Sequence, residues 1–587
     1  MLSKIDPLLK VGENEQVLAL LAQKNLLSIE EQIYQARALE MRFDESIFEA
    51  EAIVNEVLHQ LESLNDPILE LQARSVKLHM LYKFQNFRPI QQEIDVWGQR
   101  WSHCTPQVQE ALQQTYLTYL LFKTVIKPRT STDIETWKAT GQKVDSVIQK
   151  FEKIGDYYNA AWAIHIQTGI LLTYDDWDAY RTIPSRLAKI GQYTKHFLAS
   201  PDIIKLFNAY ILFYEGKRDQ GLKNYEETFT QFQKSSPPWL HTWLGSMGLG
   251  FSYLISGQYS KVIDSVPKFM AINKRLKNAH LLSWDKRILG EAYYQTGDSV
   301  AGKRLIEEAL EIVREIDDPI CQVICLVKSA KLNYFLGETE KALNYLREAQ
   351  GLLSTDRLLS KLDIQWFLEG YYYIMTLFLE QDRRTEAEDF FKMLTRRYSF
   401  NSSEVMDFYV SLGEILLLKY ERRATKKALA QAKLEELLRT TPKGWLPQEI
   451  YFYAVTHYLD LLLNEFNAYQ EPEVLDEILQ ILKENKRTAQ QYHQTNFLVQ
   501  FSGIEAKLLV IQGDLQQAHD LLKDLTQDAA VVKIPRLKKQ IEKELLDLTA
   551  QFSTMKRLIA ANASLGEKIK ETDLLNYIEE VKRNFGL

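Results

Sequence analysis

Apolar positions along most of the chain recur at helical spacing, and the clearest window sets Leu305, Ile306, Ala309, Leu310 and Val313 on one helix face. A longer period lies above this one. The segment from Leu281, LLSWDKRILGEAYYQTGDSVAGKRLIEEALEIVREIDDP, lays onto the next, ICQVICLVKSAKLNYFLGETEKALNYLREAQGLL. The overlay pairs Gly290 with Ala330, Gly297 with Gly337, Gly302 with Ala342 and Ala309 with Ala349, all at a spacing of 40. Small residues at Gly169, Ala209, Gly250, Gly290, Ala330 and Gly370 extend the frame at intervals of 40, 41, 40, 40 and 40. Seven residues after the middle four stand Gly216, Gly257, Gly297 and Gly337, and a further unit shows in Ala506, Gly513 and Ala518.

One helix hairpin per repeat explains these positions. The first small residue admits the facing helix, the glycine seven positions on makes the interhelix turn, and small residues in the second helix let it nest against the first. A single hairpin cannot bury its apolar face, so stacked neighbours must supply a continuous core. Dividing 587 residues by the period gives roughly 13–14 hairpins in one continuous solenoid. The frame is regular over 151–400. It is degenerate over 1–150, where Asp66-Pro67 opens a hairpin resembling the one after Asp318-Pro319, and over 401–550, where Gly413 and Ala454 keep it loosely. Residues 551–587 are expected to cap the array, through a helix carrying Leu574, Leu575, Tyr577, Ile578, Val581 and Phe585.

The succession Gly290, Tyr293, Gly297, Gly302 and Ala309 resembles the tetratricopeptide-repeat (TPR) family in its long, roughly 40-residue form. The resemblance implies an all-α fold, a right-handed α-solenoid of stacked antiparallel hairpins whose first helices line a concave face. On the family's pattern the groove positions are Trp284, Arg287, Glu291, Tyr294 and Gln295 in one repeat. The next repeat gives Ile324, Val327, Lys331, Tyr334 and Phe335, and its neighbours give Tyr210, Phe213, Tyr214, Phe251, Leu254, Phe367, Tyr371 and Ile374.

Composition agrees with a helical array. The 24 Gly and 15 Pro are about half the usual share, too few for a sheet-rich fold that needs a breaker every 8–12 residues or so. A net charge of −7 excludes a chain that is basic throughout and built to bind nucleic acid. Three cysteines make no disulfide framework. The start, MLSKIDPLLKVGENEQ, has no signal-peptide core, and the apolar stretch from Tyr116 to Ile126 is too short to span a bilayer, so a cytoplasmic location is expected.

The sequence carries no phosphate loop, no GxGxxG after a strand, no HExxH and no GxSxG, so no enzyme activity, cofactor or metal is expected. Gly245, Gly248 and Gly250 read as packing glycines inside a repeat helix. Cys321 and Cys325 share a helix face, but no neighbouring His or Cys completes a zinc set, so they read as core. His79, His165 and His241 read as packing or hydrogen-bonding residues.

Lys419, Arg422, Arg423, Lys426 and Lys427 fall at i, i+3, i+4, i+7 and i+8, one cationic helix face within the basic stretch 419–443. A second basic stretch holds Lys533, Arg536, Lys538, Lys539 and Lys543. The leading expectation is a scaffold or adaptor that holds a protein or peptide along the concave face, where Tyr, Trp and Arg serve as anchors. The alternatives are a ligand- or peptide-sensing regulator acting on a separate effector, and a nucleic-acid-associated protein using the two basic stretches.

Overall fold

A computed structural model describes residues 2–84, 87–126, 134–173, 176–215, 217–235, 237–316, 318–336, 338–354, 372, 375–398, 404–441, 448–491, 494–532 and 534–585. Among these residues the chain is all-α, helices joined by turns and bends with no strand. Helices follow one another as antiparallel hairpins, among them Tyr157–Thr173 with Ile183–Ile190, Pro201–Tyr214 with Arg218–Ser235, Ala279–Thr296 with Ser299–Glu315, Pro319–Phe335 with Thr339–Ser354, and Thr495–Gln512 with Leu515–Gln527. Among the described residues no helix is long and apolar enough to cross a membrane.

The central hairpin shows how the sequence builds a repeat. Asn278 caps the 279–296 helix by accepting the Leu281 amide at 3.0 Å. Gly297 ends that helix in the left-handed region at φ +103°, and Asp298 at once caps the next by accepting the Ala301 amide at 2.9 Å. Gly257 and Gly513 also hold positive φ in their turns, whereas Gly216 and Gly337 lie outside the described residues. Between the paired helices, Gly290 and Gly302 interlock. A Cβ on Gly290 would sit 2.9 Å from the Gly302 carbonyl oxygen, and one on Gly302 would sit 2.8 Å from the Gly290 carbonyl oxygen. Backbone therefore meets backbone at the crossing.

Two large cores run through the stack. One spans Ile5 to Ile324 and the other Ala309 to Val581, so they overlap around the 309–324 hairpin junction. The first 84 residues are tied to later repeats by long-range bonds. The Trp239 amide and indole donate to the Phe43 and Lys83 carbonyls at 3.3 and 3.4 Å, and Asn278 donates to the Lys83 carbonyl at 3.2 Å. The C-terminal helix Leu574–Phe585 packs against Gln448–Tyr469 and Thr495–Gln512, both first helices of hairpins. Leu574, Tyr577, Ile578 and Val581 bury its apolar face, with the Tyr577 ring against the bare backbone of Gly503 and Lys507 donating to the Thr572 carbonyl at 3.1 Å.

Gly302→Val forces a branched side chain into the Gly290 contact and is expected to lower stability by about 1–3 kcal/mol or more. Gly351, in the 339–354 helix, has nothing within 4 Å of a built Cβ, so Gly351→Ala is expected to raise stability by up to about 1 kcal/mol. Thermal melts of the two variants beside the parent check both signs. Equal melting temperatures for all three chains would contradict this account of the crossing.

Candidate functional site

A well-formed apolar cavity of about 240 Å³ lies among the helices of the 157–296 repeats. First helices of successive hairpins contribute its walls. Trp162, His165, Ile166, Thr168 and Gly169 come from the 157–173 helix, and Leu206, Phe207 and Tyr210 from the 201–214 helix. Trp239, Trp243, Leu244, Met247, Gly248 and Phe251 come from the next repeat, and His280 and Trp284 from the 279–296 helix. Tyr82 closes it from the N-terminal region. Among the described residues none of those lining it is Asp, Glu, Lys or Arg.

The sequence stretch WLGSMGLG makes this space possible. Trp243–Gly250 is a π-helix, a wider turn in which the ordinary ladder is broken. Tyr225, from the 218–235 helix, donates its hydroxyl to the Leu244 carbonyl at 2.9 Å. The three glycines are needed because side chains from the neighbouring second helices press in. A Cβ would lie 2.5 Å from the Phe269 ring at Gly245, 2.0 Å from the Tyr225 hydroxyl at Gly248, and 3.0 Å from Val266 at Gly250. They are packing glycines, as the sequence suggests, but they admit aromatic rings beside a π turn. Gly169 differs, for it lies exposed at the cavity with nothing within 4 Å of a built Cβ.

The walls are mostly aromatic. Trp162 and Trp239 stand 6.1 Å apart, Trp239 and Trp243 6.2 Å, His165 and Trp243 5.9 Å, and Phe251 and Trp284 6.1 Å, centroid to centroid. His165 Nε2 lies 2.7 Å from the Leu198 carbonyl, so that nitrogen carries the proton and Nδ1 is left an acceptor. Burial pushes this imidazole down to about 4, which keeps it uncharged at neutral pH. Among the described residues His165 Nδ1, Trp162 Nε1 and Trp284 Nε1 make no hydrogen bond. An apolar space with a few unpaired polar atoms suits an uncharged ligand group that can answer one or two of them.

Charge is held behind these walls. Lys83 is fully buried, paired with Glu40, with its ammonium 3.3 Å from the Phe43 ring centroid and 5.6 Å from that of Trp162. Burial, partly offset by Glu40, brings it down to about 8. Asp285, next to Trp284, is also fully buried, and it accepts from Asn273 at 2.7 Å. Burial lifts its carboxyl to about 7, against the opposing pull of Ser246 and Asn273.

The expected groove residues occupy a different setting. Arg287 is buried and stacks 4.3 Å over the Trp284 ring. Glu291 pairs with Lys328 at 2.7 Å. Burial raises that carboxyl, but Lys328 and Lys331, then Arg287, outweigh burial and hold it below the usual range. Glu291, Tyr294, Gln295 and Lys331 enclose a space of only about 20 Å³. Tyr334 donates to Glu380 at 2.8 Å. Cross-repeat pairing occupies the space here, and among the described residues Trp284, Tyr210 and Phe251 of the family-derived positions line the 240 Å³ cavity. Phe367, Tyr371 and Ile374 lie outside the described residues.

The single cationic face over 419–427 does not form, and this corrects the sequence reading. The helix Glu404–Lys419 ends at Lys419, and a new one begins at Ala424. Lys419 is buried, 2.5 Å from Asp460 and 2.6 Å from His457 Nδ1, while Arg422 sits exposed in the intervening turn, 3.4 Å from Asp382. Arg423 precedes the second helix, and Lys426 and Lys427 lie exposed within it. A second correction concerns Cys321. Cys325 is core, with its thiol pushed up to about 12 by burial, but His280 Nδ1 stands 4.0 Å from Cys321 Sγ. That histidine comes from 41 residues earlier, across a repeat, where a search for near neighbours in sequence does not reach.

No family model matches the chain, and no curated protein matches it. Among solved structures, a Rap protein complexed with competence and sporulation factor is similar at 11% identity and a TM-score of 0.31, over 67% of this chain and 99% of that one. At those values the likeness carries no argument about this chain.

Asp285 gives the site a pH signature. Between its ordinary value of 3.8 and about 7 the folded chain keeps a proton that the unfolded chain has released, so this group's contribution to stability falls as pH rises through that window. Asp285→Asn is expected to remove that slope, gaining about 2–4 kcal/mol over the parent at pH 8 and little at pH 4. Melting temperatures across this range test the sign, and parallel curves for the two proteins would contradict it.

Proposed function

We propose that the chain is a non-enzymatic, TPR-like helical-repeat receptor, a right-handed superhelix whose concave face receives a protein or peptide partner. The aromatic cavity seats one uncharged apolar group of that partner, an aromatic or branched aliphatic side chain. The observation that carries the reading is the cavity's lining, drawn from four successive repeats, rich in Trp, Tyr and Phe, and among the described residues without Asp, Glu, Lys or Arg. Such surfaces gain affinity from desolvated aromatic contact area and direct it with a few polar atoms. Here those atoms are His165 Nδ1 as an acceptor and the Trp162 and Trp284 indoles as donors.

The same lining disfavours a phosphate or nucleic-acid ligand, which needs cationic partners. Lys419, which the nucleic-acid reading requires on an outer face, is instead buried beside Asp460. Whether the partner is a stable scaffold client or a transient signalling peptide, the recognition chemistry is the same.

Gly169→Leu provides the test, because it puts a side chain into open space at the cavity without displacing a neighbour. Peptides selected from a random display library on the immobilised full chain are expected to share a Trp, Phe or Leu anchor. Their affinity is expected to fall at least 10-fold on Gly169→Leu, with no loss in melting temperature. Anionic peptides bound equally by both chains would overturn the reading.

A further inference from the structure

His280, Asp318 and Cys321 bring one nitrogen, one oxygen and one sulfur ligand atom together, all within 4.8 Å of one another. Asp318 caps the 319–335 helix through Oδ1, which accepts the Cys321 amide at 3.0 Å, and this fixes the carboxylate beside the thiol. Its Oδ2 lies 3.0 Å from His280 Nδ1, and Nδ1 lies 4.0 Å from Cys321 Sγ. His280 stands in the first turn of the preceding first helix, so the three ligands join two successive repeats. Asp318 and Cys321 are buried and the His280 side chain is only 13% exposed.

We propose that His280, Asp318 and Cys321 form a three-ligand site for a zinc-type divalent cation. Ligand bonds of about 2.0–2.3 Å at tetrahedral angles set donor atoms roughly 3.3–3.7 Å apart. The two His280 separations, 3.0 and 4.0 Å, straddle that range and the third lies within 4.8 Å, so side-chain adjustments of about an ångström complete the set. Thiolate and imidazole select zinc over magnesium or calcium, which take oxygen ligands. On binding, the thiol proton leaves to solvent and the imidazole binds through Nδ1. With three protein ligands the fourth position goes to water, the arrangement of an open site. His280 also lines the aromatic cavity, so the ion would fasten the cavity's last wall to the repeat beyond it. The site does not depend on what fills the cavity.

Cobalt(II) is the probe. The full chain, stripped with a chelator and titrated under reducing conditions, is expected to take up one equivalent of cobalt and show thiolate-to-metal charge-transfer absorption with tetrahedral visible bands. Zinc is expected to displace it. Cys321→Ser should abolish the charge-transfer band, His280→Gln should weaken binding at least 10-fold, and Cys325→Ser should change neither. Zinc should also raise the parent's melting temperature more than that of His280→Gln, a readout that controls for folding. A band that survives Cys321→Ser, no band at millimolar cobalt, or an equal zinc shift in parent and His280→Gln would each overturn the assignment.

Discussion

The absence of a Cβ at a few positions decides how close the helices of this array can come, and much of the structure follows from what enters each gap. At Gly290 the Gly302 backbone enters, and two helices lock at their closest approach. At Gly245 and Gly248 the Phe269 ring and the Tyr225 hydroxyl enter, beside a helix that has opened into a π turn. At Gly169 nothing enters, and the space belongs to the aromatic cavity. One residue type thus makes a joint, a seat for aromatic side chains and an opening.

This explains what the sequence made legible. The hairpin period depends on residues that recur, and the turn glycines Gly257, Gly297 and Gly513 have positive φ where the frame puts them. The contents of each gap depend on residues from other elements, so they were not readable. The frame places Gly169 and Gly290 at equivalent positions, but only the three-dimensional neighbours show that one is filled and the other open. The clue that was available lay in WLGSMGLG, where three glycines in six residues stand between Trp243 and Phe251. Of the family-derived positions, Trp284, Tyr210 and Phe251 line the cavity, while Glu291 pairs with Lys328 in the next repeat, a partner that spacing along one helix does not reveal. Similarly, the i, i+3, i+4 spacing of Lys419, Arg422 and Arg423 describes a continuous helix, and the chain breaks it at 420–423.

Charge is sorted as carefully as volume. Buried pairs such as Lys83 with Glu40, Glu291 with Lys328 and Lys419 with Asp460 join separate helices. Buried pairs add little net stability, but losing one partner strands the other, so they penalise any other register of the stack. In the cavity wall, burial holds His165 uncharged. The Lys83 ammonium and the Asp285 carboxyl stand just behind the walls, where they shape the aromatic surface without lining it.

Hydrogen–deuterium exchange on the full chain, with and without a selected peptide, tests the central claim most directly. The account predicts slowed exchange in the cavity helices, over 162–169, 206–210, 239–251 and 280–284, with the π turn showing the largest change. Protection confined to 404–440 or 448–512, with those four segments unchanged, would contradict it.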